Sequence, residues 1–136
     1  MVRVIMEGAG AGKTKQIIDM VNEAVNTEHG NVVCIERKPE LMFNVHHDIR
    51  LVAASDYDLK SIPAFKGFIS GLYAGNYDIT HIFVDSLCKI VNNFDPVEVE
   101  RFLNWLDLFG NRNGLKFTVT ISERPELDTE GIRRYC

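Results

Sequence analysis

The chain has 136 residues, of which 46% are hydrophobic and 25% are charged, a composition typical of a single globular domain covering residues 1–136. The net charge is −4 and the basic residues form no stripe, which argues against nucleic acid as the main partner. Three cysteines without paired spacing, and no long apolar segment, predict a reduced, cytoplasmic protein without a membrane segment. The histidines show no zinc-ligand spacing, so the adjacent His46 and His47 are assigned to a surface loop rather than a metal site.

Strand-like and helix-like segments alternate along the chain. In chain order, the pattern predicts a strand at 2–6, a helix at 14–27, a strand at 32–36, a long loop at 37–49, a strand at 50–54, a helix at about 61–75, a strand at 81–85, a helix at 96–113, a strand at 116–122 and a short helix at 128–134. The helix at 96–113 has a clear start, since Asp95 can cap it, Pro96 fits its first turn and Glu98 completes the capping pattern.

This alternation predicts an α/β fold, a three-layer sandwich in which helices cover both faces of a mostly parallel sheet of about five strands. Binding sites in such sheets lie beyond the carboxyl ends of the strands. Residues that follow the predicted strands are therefore the first candidates for function.

The stretch EGAGAGKTK at residues 7–15 lies between the first predicted strand and the first predicted helix. It matches the phosphate-binding loop pattern G-x-x-x-x-G-K-[ST], except that Glu7 occupies the first glycine position. Main-chain N–H groups of such a loop bind phosphate oxygens together with the helix dipole, and glycines allow the close approach. The candidate phosphate-binding residues are Gly8, Ala9, Gly10, Ala11, Gly12, Lys13, Thr14 and Lys15. The alternative is a glycine-rich turn that carries an exposed lysine.

Two side chains of this loop have expected chemical roles. Lys13 would contact the terminal phosphates as a point charge and assist catalysis, and Thr14 would place its hydroxyl on Mg²⁺. Lys15 would offer its main-chain N–H, with its side chain exposed. We expect Glu7 to lower the affinity or constrain the loop rather than abolish the site.

The strongly apolar strand at 81–85 ends abruptly in Asp85. Phosphate-binding loops are usually accompanied by a second strand whose terminal aspartate holds Mg²⁺ directly or through water. The sequence therefore predicts Asp85 as a magnesium ligand, and the alternative is a carboxylate that caps a turn.

These two segments, GAGAGKT at 8–14 and HIFVD at 81–85, resemble the nucleotide-binding motifs of P-loop nucleoside triphosphatases. Their order and spacing are similar to those of the RecA-like or AAA-like branch. The stretches GKTKQIIDMVNEAV and HGNVVCIERKP further resemble small bacterial ATP-binding proteins that are labelled as similar to twitching-motility ATPases. The resemblance implies a P-loop fold with ATP and Mg²⁺ as ligands. One departure is Ser86, which follows Asp85 where hydrolytic RecA-like enzymes often carry an acidic residue.

Three further residues are candidates for catalysis at the same edge of the predicted sheet. Glu36, at the end of the second strand, is a candidate water-positioning base, with a solvated strand-end carboxylate as the alternative. Ser122, at the end of the last strand, is a candidate sensor of the γ-phosphate. Arg124 is a candidate arginine finger, in cis or across a subunit contact, with a surface arginine as the alternative.

Three functions are compatible with these residues. The first is a P-loop protein that binds ATP with Mg²⁺ and hydrolyses it slowly or with help from a partner. The second is a small nucleoside or nucleotide kinase, which would need an acceptor pocket; the region 37–60 contains arginine and histidine but no recognisable lid pattern. The third is a non-hydrolysing module in which nucleotide binding changes an interaction surface. Each of these functions is compatible with a protein partner or a homo-oligomer.

Overall fold

The computed structural model describes residues 1–8, 13–41 and 44–136, without the side chains of Lys13 and Thr14. The strands are β1 (Val2–Glu7), β2 (Asn31–Glu36), β3 (Arg50–Ala53), β4 (Ile79–Val84) and β5 (Lys116–Ser122). The helices are α1 (Lys13–Thr27), α2 (Ile62–Gly75), α3 (Leu87–Ile90), α4 (Pro96–Asn113) and α5 (Glu130–Arg133), with 3₁₀ turns at Ala54–Asp56 and Pro125–Leu127. Within these described ranges, none of the helices has the length and apolar composition that a membrane span requires.

The five strands form one sheet in the order β1-β5-β4-β2-β3, and every neighbouring pair is parallel. The predicted α/β fold with a mostly parallel sheet of about five strands is thus confirmed, and the sheet is parallel throughout. Because all strands run in the same direction, their carboxyl ends meet at a single edge, which we call the carboxyl edge.

Helices cover both faces of this sheet. On one face, called the α1 face, helix α1 and the segment after β2 cover an apolar cluster that includes Cys34 and Phe83. On the opposite face, helices α2 to α5 cover the main core, whose fully buried aromatic residues include Phe65, Phe102 and Phe117. This layering is consistent with the predicted three-layer sandwich.

The chain leaves the strands toward different faces of the sheet. It leaves β1 and β2 over the α1 face, and it leaves β3, β4 and β5 over the opposite face. Neighbouring strands with diverging exits leave a crevice at the carboxyl edge, which is where open α/β sheets bind ligands. Such crevices lie between β1 and β5, between β4 and β2, and between β2 and β3.

Helix α4 begins and ends as its sequence predicts. Asp95 Oδ2 accepts the main-chain N–H of Glu98 at 3.3 Å, and Pro96 occupies the first helical position. Gly114 ends the helix in the left-handed conformation, at a φ of 68°. Local capping alone therefore accounts for both ends of this helix.

Three features differ from the sequence predictions. Strand β4 ends at Val84, so Asp85 is the first residue of the following turn rather than the last residue of the strand. Ser86 adopts a left-handed conformation with a φ of 64°, and the short helix α3 that follows was not predicted, because four residues are too few to show a helical period. The predicted helix at 128–134 is confined to α5.

Candidate functional site

The parallel strands bring four of the predicted site residues to the carboxyl edge. Glu7, the last residue of β1, pairs in register with Ser122 of β5. Asp85 follows β4, and Glu36 ends β2. In the order of the strands, the predicted site residues at this edge are Gly8, Ser122, Asp85 and Glu36. Residues that are far apart in the sequence therefore share one edge.

The glycine-rich loop connects this edge to helix α1. Ala9, Gly10, Ala11 and Gly12 lie outside the described residues, as do the side chains of Lys13 and Thr14. Glu7 ends β1 and Lys13 begins α1, so a short connection brings the amino terminus of the helix to the carboxyl edge. Lys15, in the first turn of α1, is exposed.

Two acidic residues adjoin the start of this loop. Glu7 is only 6% exposed, and its carbonyl oxygen accepts the main-chain N–H of Glu123 at 2.8 Å. The Glu123 side chain lies against Gly8, because a Cβ atom placed on Gly8 would be 3.2 Å from Glu123 Oε2. Glu123 is not among the residues predicted from the sequence, although its place directly after the last strand was a signal. An anion in the loop would therefore have the Glu123 carboxylate as a neighbour.

Asp85 is held at the carboxyl edge by hydrogen bonds with two strands. The Thr120 hydroxyl donates to Asp85 Oδ1 at 2.8 Å and accepts the main-chain N–H of Ser86 at 2.7 Å. The main-chain N–H of Asp85 donates to the Ile35 carbonyl at 2.9 Å. Because Oδ2 accepts no hydrogen bond from the residues that the structure describes, one oxygen of an oriented carboxylate is available to a ligand.

Thr120, which is 1% exposed on the α1 face, is also absent from the residues predicted from the sequence. The signal was the alternation in KFTVTIS, which puts Thr118, Thr120 and Ser122 on one face of β5. A strand buried on both faces of a parallel sheet normally reads as a continuous apolar run. The polar residues at alternate positions therefore marked this face of β5 as unusual.

Glu36 is 2% exposed and caps the segment that follows β2. Its Oε1 accepts the main-chain N–H groups of Glu40 at 2.8 Å and Leu41 at 3.2 Å, while its buried Oε2 has no partner among the described residues. Burial raises the pKa of the Glu36 carboxyl. The two N–H groups lower this pKa, whereas the negative charges of Glu40 and Asp85 raise it further. Glu36 is therefore not the solvated strand-end carboxylate that the sequence allowed, and its raised pKa suits a proton acceptor.

Asp85 and Glu36 line one cleft of about 210 Å³, in the crevice between β4 and β2. A further acidic side chain and three basic ones also line it, namely those of Glu40, Arg37, Lys38 and Lys89. Oxygen ligands are those that Mg²⁺ prefers, and basic side chains attract phosphate. The open Oδ2 of Asp85 fits a magnesium ion, and the cleft as a whole suits a metal-bound phosphate.

The other two catalytic candidates lie at and after the end of β5. Ser122 is half-buried and in register with Glu7. The Arg124 guanidinium stacks on Phe94, 3.7 Å from the ring centroid, and its Nη1 lies 3.7 Å from Glu126 Oε1. These contacts and its exposure agree with a surface arginine, which was the alternative to an arginine finger.

A second polar cluster lies on the α1 face near the amino ends of β4 and β5. Lys116 Nζ donates to Glu28 Oε2 at 2.6 Å, and the same oxygen lies 3.8 Å from His81 Nδ1. His81 Nε2 is 2.9 Å from Thr118 Oγ1, and its ring stacks on Phe83. Burial lowers the pKa of His81 to about 4, although Glu28 opposes this. The ring is therefore neutral near pH 7 and offers no charge to an anion.

The adjacent His46 and His47 are exposed, in agreement with a surface loop. Together with Asp48, they form a group whose ligating atoms all lie within 4.8 Å of one another. His46 is tied to α1, because its main-chain N–H donates to Asn22 Oδ1 at 2.7 Å. The three side chains face water, so the surface-loop assignment accounts for them.

No protein-family model matches this chain, and comparison with curated proteins produced no match to its sequence. The residues of the carboxyl edge are therefore the ones that indicate a function. They are an oriented carboxylate at Asp85, a buried carboxyl at Glu36 and basic side chains, at the same edge of the sheet as the start of a glycine-rich loop.

Proposed function

We propose that the chain is a P-loop nucleotide-binding protein that binds ATP with Mg²⁺ at the carboxyl edge of its sheet. The observation that carries this proposal is the position of Asp85. Its carboxylate is oriented by Thr120, keeps one oxygen open, and stands at the same edge as the junction of β1, the glycine-rich loop and α1. A phosphate tail bound at the amino terminus of α1 would thus have a magnesium-ligating carboxylate on its other side.

The residues of the chain would share the binding of this ligand. Main-chain N–H groups of residues 8–15 would bind the phosphate oxygens, and Lys13 would contact the terminal phosphates. Thr14 and Asp85 would hold the magnesium ion, which when bound neutralises charge on the phosphate oxygens. Ser122, which ends the strand between β1 and β4, would contact the γ-phosphate.

Hydrolysis by this site would be slow or dependent on a partner. Ser86 stands where an acidic residue would orient the attacking water, which leaves Glu36 as the proton acceptor that lines the cleft. Its Oε1 is engaged by two main-chain N–H groups, and its Oε2 is buried. Water would reach Oε2 only after the segment following β2 moves, and a partner that shifts this segment would stimulate the reaction.

Titration calorimetry with ATP, in the presence and absence of Mg²⁺, tests the proposal. The Lys13→Ala variant should bind at least about tenfold more weakly, because a charge-assisted contact contributes about 1.5–3 kcal/mol. The Asp85→Asn variant should lose the dependence of binding on Mg²⁺ while its thermal unfolding stays cooperative.

A matched control is available for each position. Lys15→Ala removes the neighbouring exposed lysine side chain but keeps its main-chain N–H, and Asp78→Asn removes an exposed carboxylate before β4. Both should retain the affinity of the wild type. Unchanged ATP binding in the Lys13→Ala and Asp85→Asn variants would refute the proposal.

A further inference from the structure

A second and larger cleft lies at the carboxyl edge, on the other side of β2. It has a volume of about 420 Å³ and is formed by the segments that follow β2, β3 and β4. The exits of β2 and β3 diverge here, so this cleft occupies a position where open α/β sheets bind ligands. Its walls are tied together, because the main-chain N–H of Ser55 donates to the Arg37 carbonyl at 3.0 Å.

The charge of this cleft is uniformly positive. Four basic side chains line it, and no acidic residue does so within the described ranges. They are Arg37, Lys38, Lys60 and Lys89. None of the four forms an ion pair with another described residue. The whole chain has a net charge of −4, so this local excess of positive charge is opposite in sign to the net charge of the protein. Like charges that converge on a crevice raise the local concentration of anions.

The inner surface of the same cleft is apolar. Ala54, Leu59 and Ile90 line it and are 7%, 5% and 4% exposed. A cationic rim above an apolar floor fits a ligand with an anionic group on a compact carbon frame, and the volume lies in the usual range for small-molecule sites. The basic residues form no extended stripe, which disfavours a nucleic-acid backbone.

This basic cleft adjoins the cleft that contains Asp85. Arg37, Lys38 and Lys89 line both of them. A ligand in the basic cleft would therefore lie next to the candidate magnesium site, with shared cations between the two.

We propose that the basic cleft binds a small phosphorylated molecule, namely a phosphomonoester on a compact carbon frame. The planar guanidinium of Arg37 matches two phosphate oxygens, and Lys60 and Lys89 add point charges. Leu59 and Ile90 would contact the carbon frame. Binding of this molecule in the basic cleft does not require ATP. A role of the cleft as the acceptor pocket of a small kinase would rest on the proposed function.

Glycerol 3-phosphate is a suitable probe, followed by amide NMR shifts of the full chain without nucleotide. We expect saturable shifts at Ser55, Lys60 and Asn92, none with glycerol, and weaker binding as NaCl is added. The Arg37→Gln/Lys60→Gln double variant should bind the probe about tenfold more weakly or worse, because charge-assisted contacts are lost.

A charge-matched control is the Arg101→Gln/Arg112→Gln double variant, which removes two exposed cations of α4. It should bind the probe as the wild type does. All four substituted side chains are exposed, so both double variants should fold.

Several results would overturn the inference. They are the absence of binding, equal weakening in both double variants, or tighter binding of a single-stranded oligonucleotide at the same phosphate concentration. Shifts confined to residues 8–15, with loss in Lys13→Ala but not in the Arg37→Gln/Lys60→Gln variant, would place the probe in the glycine-rich loop instead. If Lys13→Ala and Asp85→Asn leave ATP binding unchanged while the probe still requires Arg37 and Lys60, the proposed function fails and the basic cleft stands.

Discussion

The two faces of the sheet are built from different kinds of residue. On the face covered by α2 to α5, the inward strand residues are apolar from one end of the sheet to the other, and Val4, Ile82 and Val119 are at most 2% exposed. On the α1 face, apolar residues such as Cys34 and Phe83 lie under α1, and polar residues follow toward β5 and β1. Apolar burial is thus continuous on one face and interrupted on the other.

The polar part of the α1 face depends on specific pairs. Thr120 bonds to Asp85, and Thr118 lies within hydrogen-bond distance of His81. Pairing offsets the cost of burying these polar groups, but hydrogen bonds that replace bonds to water add little net free energy, so these residues contribute less to stability than apolar residues at the same depth. The difference indicates that most of the packing energy lies on one face, whereas the candidate chemistry lies on the other. Substitutions on the two faces should therefore change different measurements.

The largest effect is expected on the apolar face, from Phe102→Ala. Phe102 is 1% exposed and packs edge-on against Phe65, with ring centroids 5.7 Å apart. Its truncation should lower the free energy of unfolding by about 3–5 kcal/mol in urea titrations, because it leaves a cavity. Leu108→Ala on the same helix, at a position 66% exposed, should change it by less than about 0.5 kcal/mol. Equal stability of the two variants would show that burial of Phe102 does not stabilise this face.

The second largest effect is expected from His81, which should make the protein less stable in acid. Burial lowers its pKa from 6.5 to about 4, so between these values the unfolded chain takes up a proton that the folded chain does not. The contribution of the neutral His81 ring to the free energy of unfolding is therefore complete above pH 6.5 and is lost as the pH falls to 4. The expected loss is up to about 3 kcal/mol.

Urea titrations from pH 7 to pH 4 measure this contribution as the difference between the wild type and His81→Gln. The variant should show the shallower dependence on pH. A matched substitution of the exposed His29 should keep the dependence of the wild type. Parallel pH profiles for the wild type and His81→Gln would show that burial of this ring is not linked to protonation.

A smaller effect is expected from Thr120→Val, which keeps the shape of the side chain and removes its hydroxyl. The Ser86 N–H loses its acceptor and Asp85 Oδ1 loses its donor, which should cost about 1–3 kcal/mol of stability. The freed carboxylate should also weaken Mg²⁺-dependent ATP binding by about tenfold. Thr118→Val, two residues earlier on the same face, is the control and should leave Mg²⁺-dependent binding unchanged. If both variants bind ATP alike, Thr120 does not position Asp85 for the metal.

The smallest effect is expected from Glu36→Gln. The variant keeps an acceptor for the N–H groups of Glu40 and Leu41 but removes a charge that burial disfavours. Because burial raises the folded pKa of Glu36 above the ordinary 4.5, ionisation of the wild type lowers its stability as the pH rises. At pH 8 the variant should equal the wild type or exceed it by up to about 1 kcal/mol, and this difference should vanish in acid. Glu36→Ala, which loses the acceptor, should be less stable at every pH.

Much of the carboxyl edge could be predicted from local signals. Apolar runs marked the strands, their alternation with helices implied parallel pairing, and parallel pairing placed Asp85, Glu36 and Ser122 at one edge. The partners of these residues could not be predicted, because Thr120 is 35 positions from Asp85 and meets it only through the pairing of β4 with β5. The contact of Glu123 with Gly8 could not be predicted either, because it requires β1 and β5 to be neighbouring strands.

Most local elements, the ends of α4 and the α/β class follow from the sequence without tertiary contacts, because helical and strand periods and capping act over only a few residues. Tertiary structure alone decided the strand order, the burial of Glu36 under the segment that follows it, and the convergence of basic residues from three strand exits. These features depend on how the helices pack on the two faces and on the register of the strands. Both bring together residues that are far apart in the sequence, so no periodic pattern along the chain reveals them.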